Sequence, residues 1–134
     1  MASIRREVFI AASPTTVWDA LSDIGALHTR LAPGFVTDVR LEAGARVVTF
    51  GNGIVARELI VDVDEEARRL VWSVVGGRMT HHNASAQVLA EPGGGTRFVW
   101  IADLLPDEVA PAIAQMMDQG IAAIKRTLEA PANR

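Results

Sequence analysis

Cysteine is absent from the 134-residue chain, which excludes disulfides, thiolate metal sites and cysteine nucleophiles and leaves the redox compartment unreadable from thiols. Basic clusters are missing too. Lys and Arg never exceed two in a row, and 13 of them stand against 16 Asp and Glu for a net charge of −3. A nucleic-acid groove needs a basic stripe to displace counterions, and anionic membrane surfaces attract the same clusters, so both partners are disfavoured. No apolar run approaches the ~18 residues of a membrane span. Arg5, Arg6 and Glu7 interrupt any secretory apolar core at the start, so a cytoplasmic address is expected. No repeat, low-complexity tract or linker divides the sequence, and residues 1–134 are expected to form one domain. What is present is an ordinary globular balance, 49% hydrophobic and 22% charged residues.

Ile4–Ala12 alternates and then turns fully apolar, which predicts a strand. Ser13-Pro14 follows as an N-cap with proline at the first helical position, and Val17, Trp18, Leu21 and Ile24 recur at helical spacing. A second short helix is expected from Gly25 to Leu31, stopped by Pro33-Gly34. Six strands are then predicted, at Phe35–Glu42, Arg46–Gly51, Ile54–Asp62, Arg69–Val75, His81–Glu91 and Thr96–Leu104. The glycine-rich and acidic turns between them are short, and short connections demand antiparallel neighbours. Val109, Ile113, Met116, Met117, Gly120, Ile121, Ile124 and Leu128 form one stripe, predicting a helix over about residues 107–129.

The fold class is therefore α+β: a curved antiparallel sheet of about seven strands around a long C-terminal helix, with two short helices after the first strand. One amphipathic helix cannot fill a strongly curved sheet, so a cavity between them is expected.

The residues carrying this order are Ala12-Ser13-Pro14-Thr15-Thr16-Val17-Trp18, Ala56-Arg57-Glu58 before an acidic turn, Arg69-Leu70-Val71-Trp72-Ser73, and Thr96-Arg97-Phe98-Val99-Trp100 after a glycine-rich turn. In their order and spacing the chain resembles the START-like superfamily (SRPBCC, Bet v 1-like), specifically its bacterial polyketide cyclase/dehydrase-like branch. That resemblance covers nearly the whole chain and implies a helix-grip fold. It says little about chemistry, because such folds host receptors, lipid carriers, chaperone activators and some enzymes. The stretch from Arg57 to Asn83 also looks like plant abscisic-acid receptors. That likeness implies that Glu58, Trp72, His82, Ala84 and Ala86 face the cavity, joined by Phe50, Val99, Ile101, Met117 and Ile121. The receptors' pocket lysine has no match, since Pro33 lies about there, and Gly51-Asn52-Gly53 replaces their gate, so hormone binding is not carried over.

Glu58 and His82 are the acid and base expected inside, as catalytic or head-group-orienting residues. Desolvation would raise the carboxyl and lower the imidazole, and mutual pairing would oppose both shifts. The alternative is that Glu58 pairs with Arg57, Arg97 or another strand neighbour at the surface. His81-His82 suggests a metal, but neighbouring strand residues point to opposite faces and no third ligand has suitable spacing, so no metal is expected. Gly51-Asn52-Gly53-Ile54-Val55-Ala56 fits a loose dinucleotide fingerprint, yet a β-branched strand follows rather than a helix, so a hairpin turn is expected and no cofactor.

Three functions remain open: binding of a hydrophobic, aromatic or polyketide-like small molecule; a cyclase or dehydrase using Glu58 and His82; and a protein-interaction module without a ligand. Trp100 has opposite parity to Val99 and Ile101, so with Phe98 it is expected on the convex face as a homodimer contact.

Overall fold

The computed structural model describes residues 1–131. The alternating first segment forms β1 (Ala2–Ile10). Ser13 then caps helix α1 (Pro14–Ser22), its side chain accepting a hydrogen bond from the Thr16 amide at 3.1 Å. The second short helix is a single wide turn of π type over Leu27–Leu31, with the Ala32 amide bonded back to Leu27. Six strands follow: β2 (Val36–Glu42), β3 (Ala45–Phe50), β4 (Val55–Asp64), β5 (Arg69–Val75), β6 (His81–Ala90) and β7 (Thr96–Leu105). A 3-10 turn at Asp107–Val109 leads into α2 (Ala110–Glu129), so the predicted long helix begins as a tighter coil.

All seven strands make one antiparallel sheet in the order β1-β7-β6-β5-β4-β3-β2. After β1 the two short helices carry the chain to the opposite edge, and a meander returns it to β1. Register irregularities fall at Val36/Asp38 in β2 and at Ile60/Asp62 in β4. An extra residue in one strand bends it and raises the local twist, which curls the sheet into a grip.

The stripe on α2 faces that concave side: Met117, Gly120, Ala123, Ile124 and Leu128 are buried. They pack with Val17, Trp18 and Leu21 of α1 and with Leu70, Phe98, Ala102 and Leu104 of the sheet. Trp18 lies in this core, its indole nitrogen donating to Glu65 at 2.6 Å. Polar contacts tie the middle and the C-terminal end of α2 to β1 and the segment after it. Lys125 donates to the Phe9 carbonyl at 2.6 Å, Glu129 accepts from the Ala11 amide at 2.8 Å, and Arg6 meets Asp118 at 2.6 Å. The N-terminal half of α2 lies over the other end of the sheet, and there the main cavity sits.

Candidate functional site

A cavity of about 330 Å³ lies between the sheet and the first half of α2. The volume is within the range of small-molecule sites. Phe50 ends β3, Glu58 comes from β4, Trp72 and Val74 from β5, His82 from β6, Trp100 from β7, and Ile113, Met116 and Met117 from α2. Strand pleating explains the choice, since alternate residues point to one face. A second cavity of about 60 Å³ shares the walls Phe35, Phe50, Glu58, Trp72 and Trp100 and adds Leu31, Arg46, Ala86 and Ile124. The shared walls are an aromatic partition. Phe35 meets Phe50 edge-on at 5.4 Å, and Trp72 and Trp100 lie 6.3 Å apart at a 50° tilt.

The walls are apolar apart from three ionisable side chains, Glu58, Arg78 and His82. Glu58 is buried and accepts from Arg46 Nε at 2.8 Å, with side-chain exposures of 7% and 4%. Arg46 also donates to the Ile24 carbonyl at 3.2 Å and lies 5.8 Å from the Trp72 ring centroid. Burial pushes the Glu58 carboxyl above its ordinary range, and the Arg46 charge and hydrogen bond pull it partly back. Burial also pushes the His82 imidazole below its ordinary range, helped by neighbouring His81. His82 Nδ1 and Trp100 Nε1 are buried without a hydrogen-bond partner among the described residues. Such atoms are costly to leave unsatisfied, so a bound polar atom at either would be stabilising.

Phe50, Glu58, Trp72, His82 and Met117 all line the main cavity, and Ala86 lines the smaller one. Four expected lining residues do not. Ala84 is on the inner face, but its methyl is covered within the core opposite Trp72. Ile121 is half-buried against the core, past the end of the cavity. Val99 and Ile101 point the other way, because the register of β7 is unbroken and Phe98, Trp100 and Ala102 take the inner face.

That parity also corrects the expected convex patch. Phe98 is 1% exposed and Trp100 lines both cavities, so the apolar stripe proposed as a dimer contact is in the interior. Glu58 and His82 are not hydrogen-bonded to each other; the carboxyl has Arg46 instead, inside rather than at the surface. Sequence reasoning missed Arg46, Phe35 and Arg78. Among the described residues no group of three or more His, Asp or Glu gathers in a way that could hold a metal. Gly51–Gly53 is a turn followed directly by β4. No helix among the described residues is long and apolar enough to cross a membrane.

The profile of the family described as "Polyketide cyclase / dehydrase and lipid transport" matches residues 1–129. No curated protein matches the sequence. Among solved structures, a protein from Thermobifida fusca is similar at 28% identity and a TM-score of 0.75, over 96% of this chain and 91% of that one. A START superfamily protein from Mycobacterium smegmatis is similar at 13% identity and a TM-score of 0.70, over 95% and 94% of the two chains. Truncated norcoclaurine synthase from Thalictrum flavum is similar at 20% identity and a TM-score of 0.74, over 93% and 91%. The last two likenesses are of fold.

Proposed function

Because the chain belongs to the polyketide cyclase/dehydrase and lipid transport family, we propose that it binds a hydrophobic small molecule, aromatic or polyketide-like, in the cavity between the sheet and α2. One observation carries this reading: the cavity is large enough for a ligand and its walls are aromatic and aliphatic, with few polar groups. Phe50, Trp72 and Met117 supply apolar contact area. His82, and Glu58 where Arg46 leaves it capacity, supply polar contacts for one part of the ligand.

The test is titration with an uncharged bicyclic aromatic such as naphthalene, followed by tryptophan fluorescence, since Trp72 and Trp100 line the cavity. Saturable quenching is expected, and Val74→Trp, which fills the space, should abolish it. Absence of saturable quenching, together with no co-purified small molecule in native mass spectrometry, would overturn the reading.

A second reading is a cyclase or dehydrase in which Glu58 and His82 exchange protons with the ligand. What favours it is an unbonded imidazole nitrogen in the cavity region. Burial holds this imidazole neutral, and a neutral imidazole accepts a proton more readily than it donates one. In this reading His82 is therefore the base. A pH–rate profile whose acidic limb disappears in His82→Gln would support it.

A further inference from the structure

We infer that the ligand is an amphiphile with one oxyanionic head, carboxylate or phosphate, held by Arg78 at the rim while its apolar body fills the cavity. This rests on the binding reading above and adds to it the chemical class of the ligand.

The inference comes from accounting for charge around the cavity. Of the three ionisable lining residues, Glu58 is already neutralised by Arg46 at 2.8 Å. His82 is held neutral by burial. Arg78 alone contributes an uncompensated charge. It is exposed on the turn between β5 and β6 and has no hydrogen bond or ion pair among the described residues. Several surface arginines find acids, Arg40 and Arg57 at Glu42 and Arg97 at Glu7 and Glu91. Of those that make no ion pair among the described residues, Arg68, Arg69, Arg78 and Arg126, only Arg78 lines the cavity.

The acids nearest the rim in sequence leave Arg78 unpaired. Asp107 and Glu108 precede the lining residue Val109, but Asp107 pairs with the N-terminal amine at 3.5 Å and Glu108 makes no ion pair with Arg78. The turn itself is built from Gly76 and Gly77 at φ 84° and 73°, a left-handed region in which side chains are strained, so Arg78 is the first side chain past Val75 on this rim. The remaining rim residues, Ile54, Val55, Val75 and Met79, are apolar. A guanidinium above an apolar cavity fits an anionic head on an apolar body, and its fork suits carboxylate and phosphate oxygens alike.

The test is calorimetric titration of the full chain with decanoate, decyl phosphate, decanol and decylamine at about pH 8, where the carboxylate is ionised. Wild type should bind decanoate or decyl phosphate about two- to five-fold tighter than decanol, the effect of one exposed charged contact. The stronger of the two anions identifies the head group. Arg78→Gln should remove the preference, bringing anion affinity down to that of decanol in the same variant, and Arg78→Glu should favour decylamine. Equal or better binding of decanol by wild type would overturn the anionic head and leave the hydrophobic-binding reading intact. An anion preference that survives in Arg78→Gln would also overturn it. Failure of all four amphiphiles to bind would overturn both.

Discussion

Arg46 and Glu58 face each other across β3 and β4, Nε to Oε1 at 2.8 Å, and neither side chain is more than a tenth exposed. A buried pair of this kind costs most when only one partner is removed, because the other charge stays behind. Arg46→Leu should therefore destabilise by about 3–5 kcal/mol at neutral pH. The loss should shrink in acid. Burial already raises the Glu58 carboxyl, and without Arg46 nothing named opposes that rise. A raised folded-state value means stability is present when the carboxyl is protonated and is lost as pH rises through it. Denaturant melts at several pH values should show this slope. Arg46→Leu combined with Glu58→Leu should regain most of the stability and remove the slope.

His82 has the opposite sign. Its folded-state value lies below the ordinary 6.5, so the unfolded chain binds the proton more readily. The stability it contributes is present above that ordinary value and is lost as pH falls from there through the lowered value. Thermal midpoints of wild type should fall relative to those of His82→Leu between about pH 7 and pH 5. Parallel pH curves for the two proteins would show that His82 charges as easily folded as unfolded.

The elements could be read from the sequence because each has a local physical cause: the Ser13-Pro14 cap, strand alternation, turn residues, and the α2 stripe from Val109 to Leu128. The Arg46–Glu58 pair was legible too, though missed. A hairpin centred on Asn52 pairs residues symmetrically about it, which puts Arg46 opposite Glu58, as the register shows. The inner face of β7 was not legible. Phe98, Val99, Trp100 and Ile101 are all apolar, and a strand lined by apolar residues on both faces carries no alternation from which to choose. Only the pairing of β7 between β1 and β6 decides it. The rim role of Arg78 was equally hidden, because a lone arginine in a turn ordinarily reads as solvated surface.

Gly120 lets α2 approach the aromatic partition. A Cβ there would lie 2.9 Å from both the Phe35 and the Trp100 rings. Gly120→Ala gains about 1 kcal/mol of helix propensity, but overpacking costs about 1–3 kcal/mol. The rings line the cavity, so they would relieve the clash by moving into it. A net loss of about 1 kcal/mol in denaturant melts is expected, together with weaker ligand binding. A stabilised variant with unchanged binding would mean the rings yield without reshaping the cavity.

Met117 tests the direction in which α2 faces. It is 1% exposed and belongs both to the core and to the cavity wall. Met117→Asp buries a carboxylate with no partner and should cost several kcal/mol, enough to leave little folded protein at room temperature. Met117→Leu keeps the volume and should cost less than about 1.5 kcal/mol. Circular dichroism melts of the two variants would separate an inward position from an exposed one, where both would resemble wild type.

Trp100 distinguishes an interior aromatic from an association patch. Placed outside, Trp100→Lys would alter sedimentation and leave the fold intact. Placed where the structure has it, between Trp72 and the Gly120 turn of α2, it would bring an ammonium into the aromatic partition. That should cost about 2–4 kcal/mol, moderated by the lysine reaching toward the cavity mouth. Trp100→Phe asks a finer question. It removes an indole N–H that has no partner among the described residues, so relief of an unsatisfied donor should offset part of the lost contact area. The empty protein should therefore melt within about 1 kcal/mol of wild type. If a bound ligand gives that N–H an acceptor, the same change should weaken binding much more than it weakens the fold. Isothermal titration beside the melt separates the two effects. Equal losses in both would mean that Trp100 acts through its bulk alone.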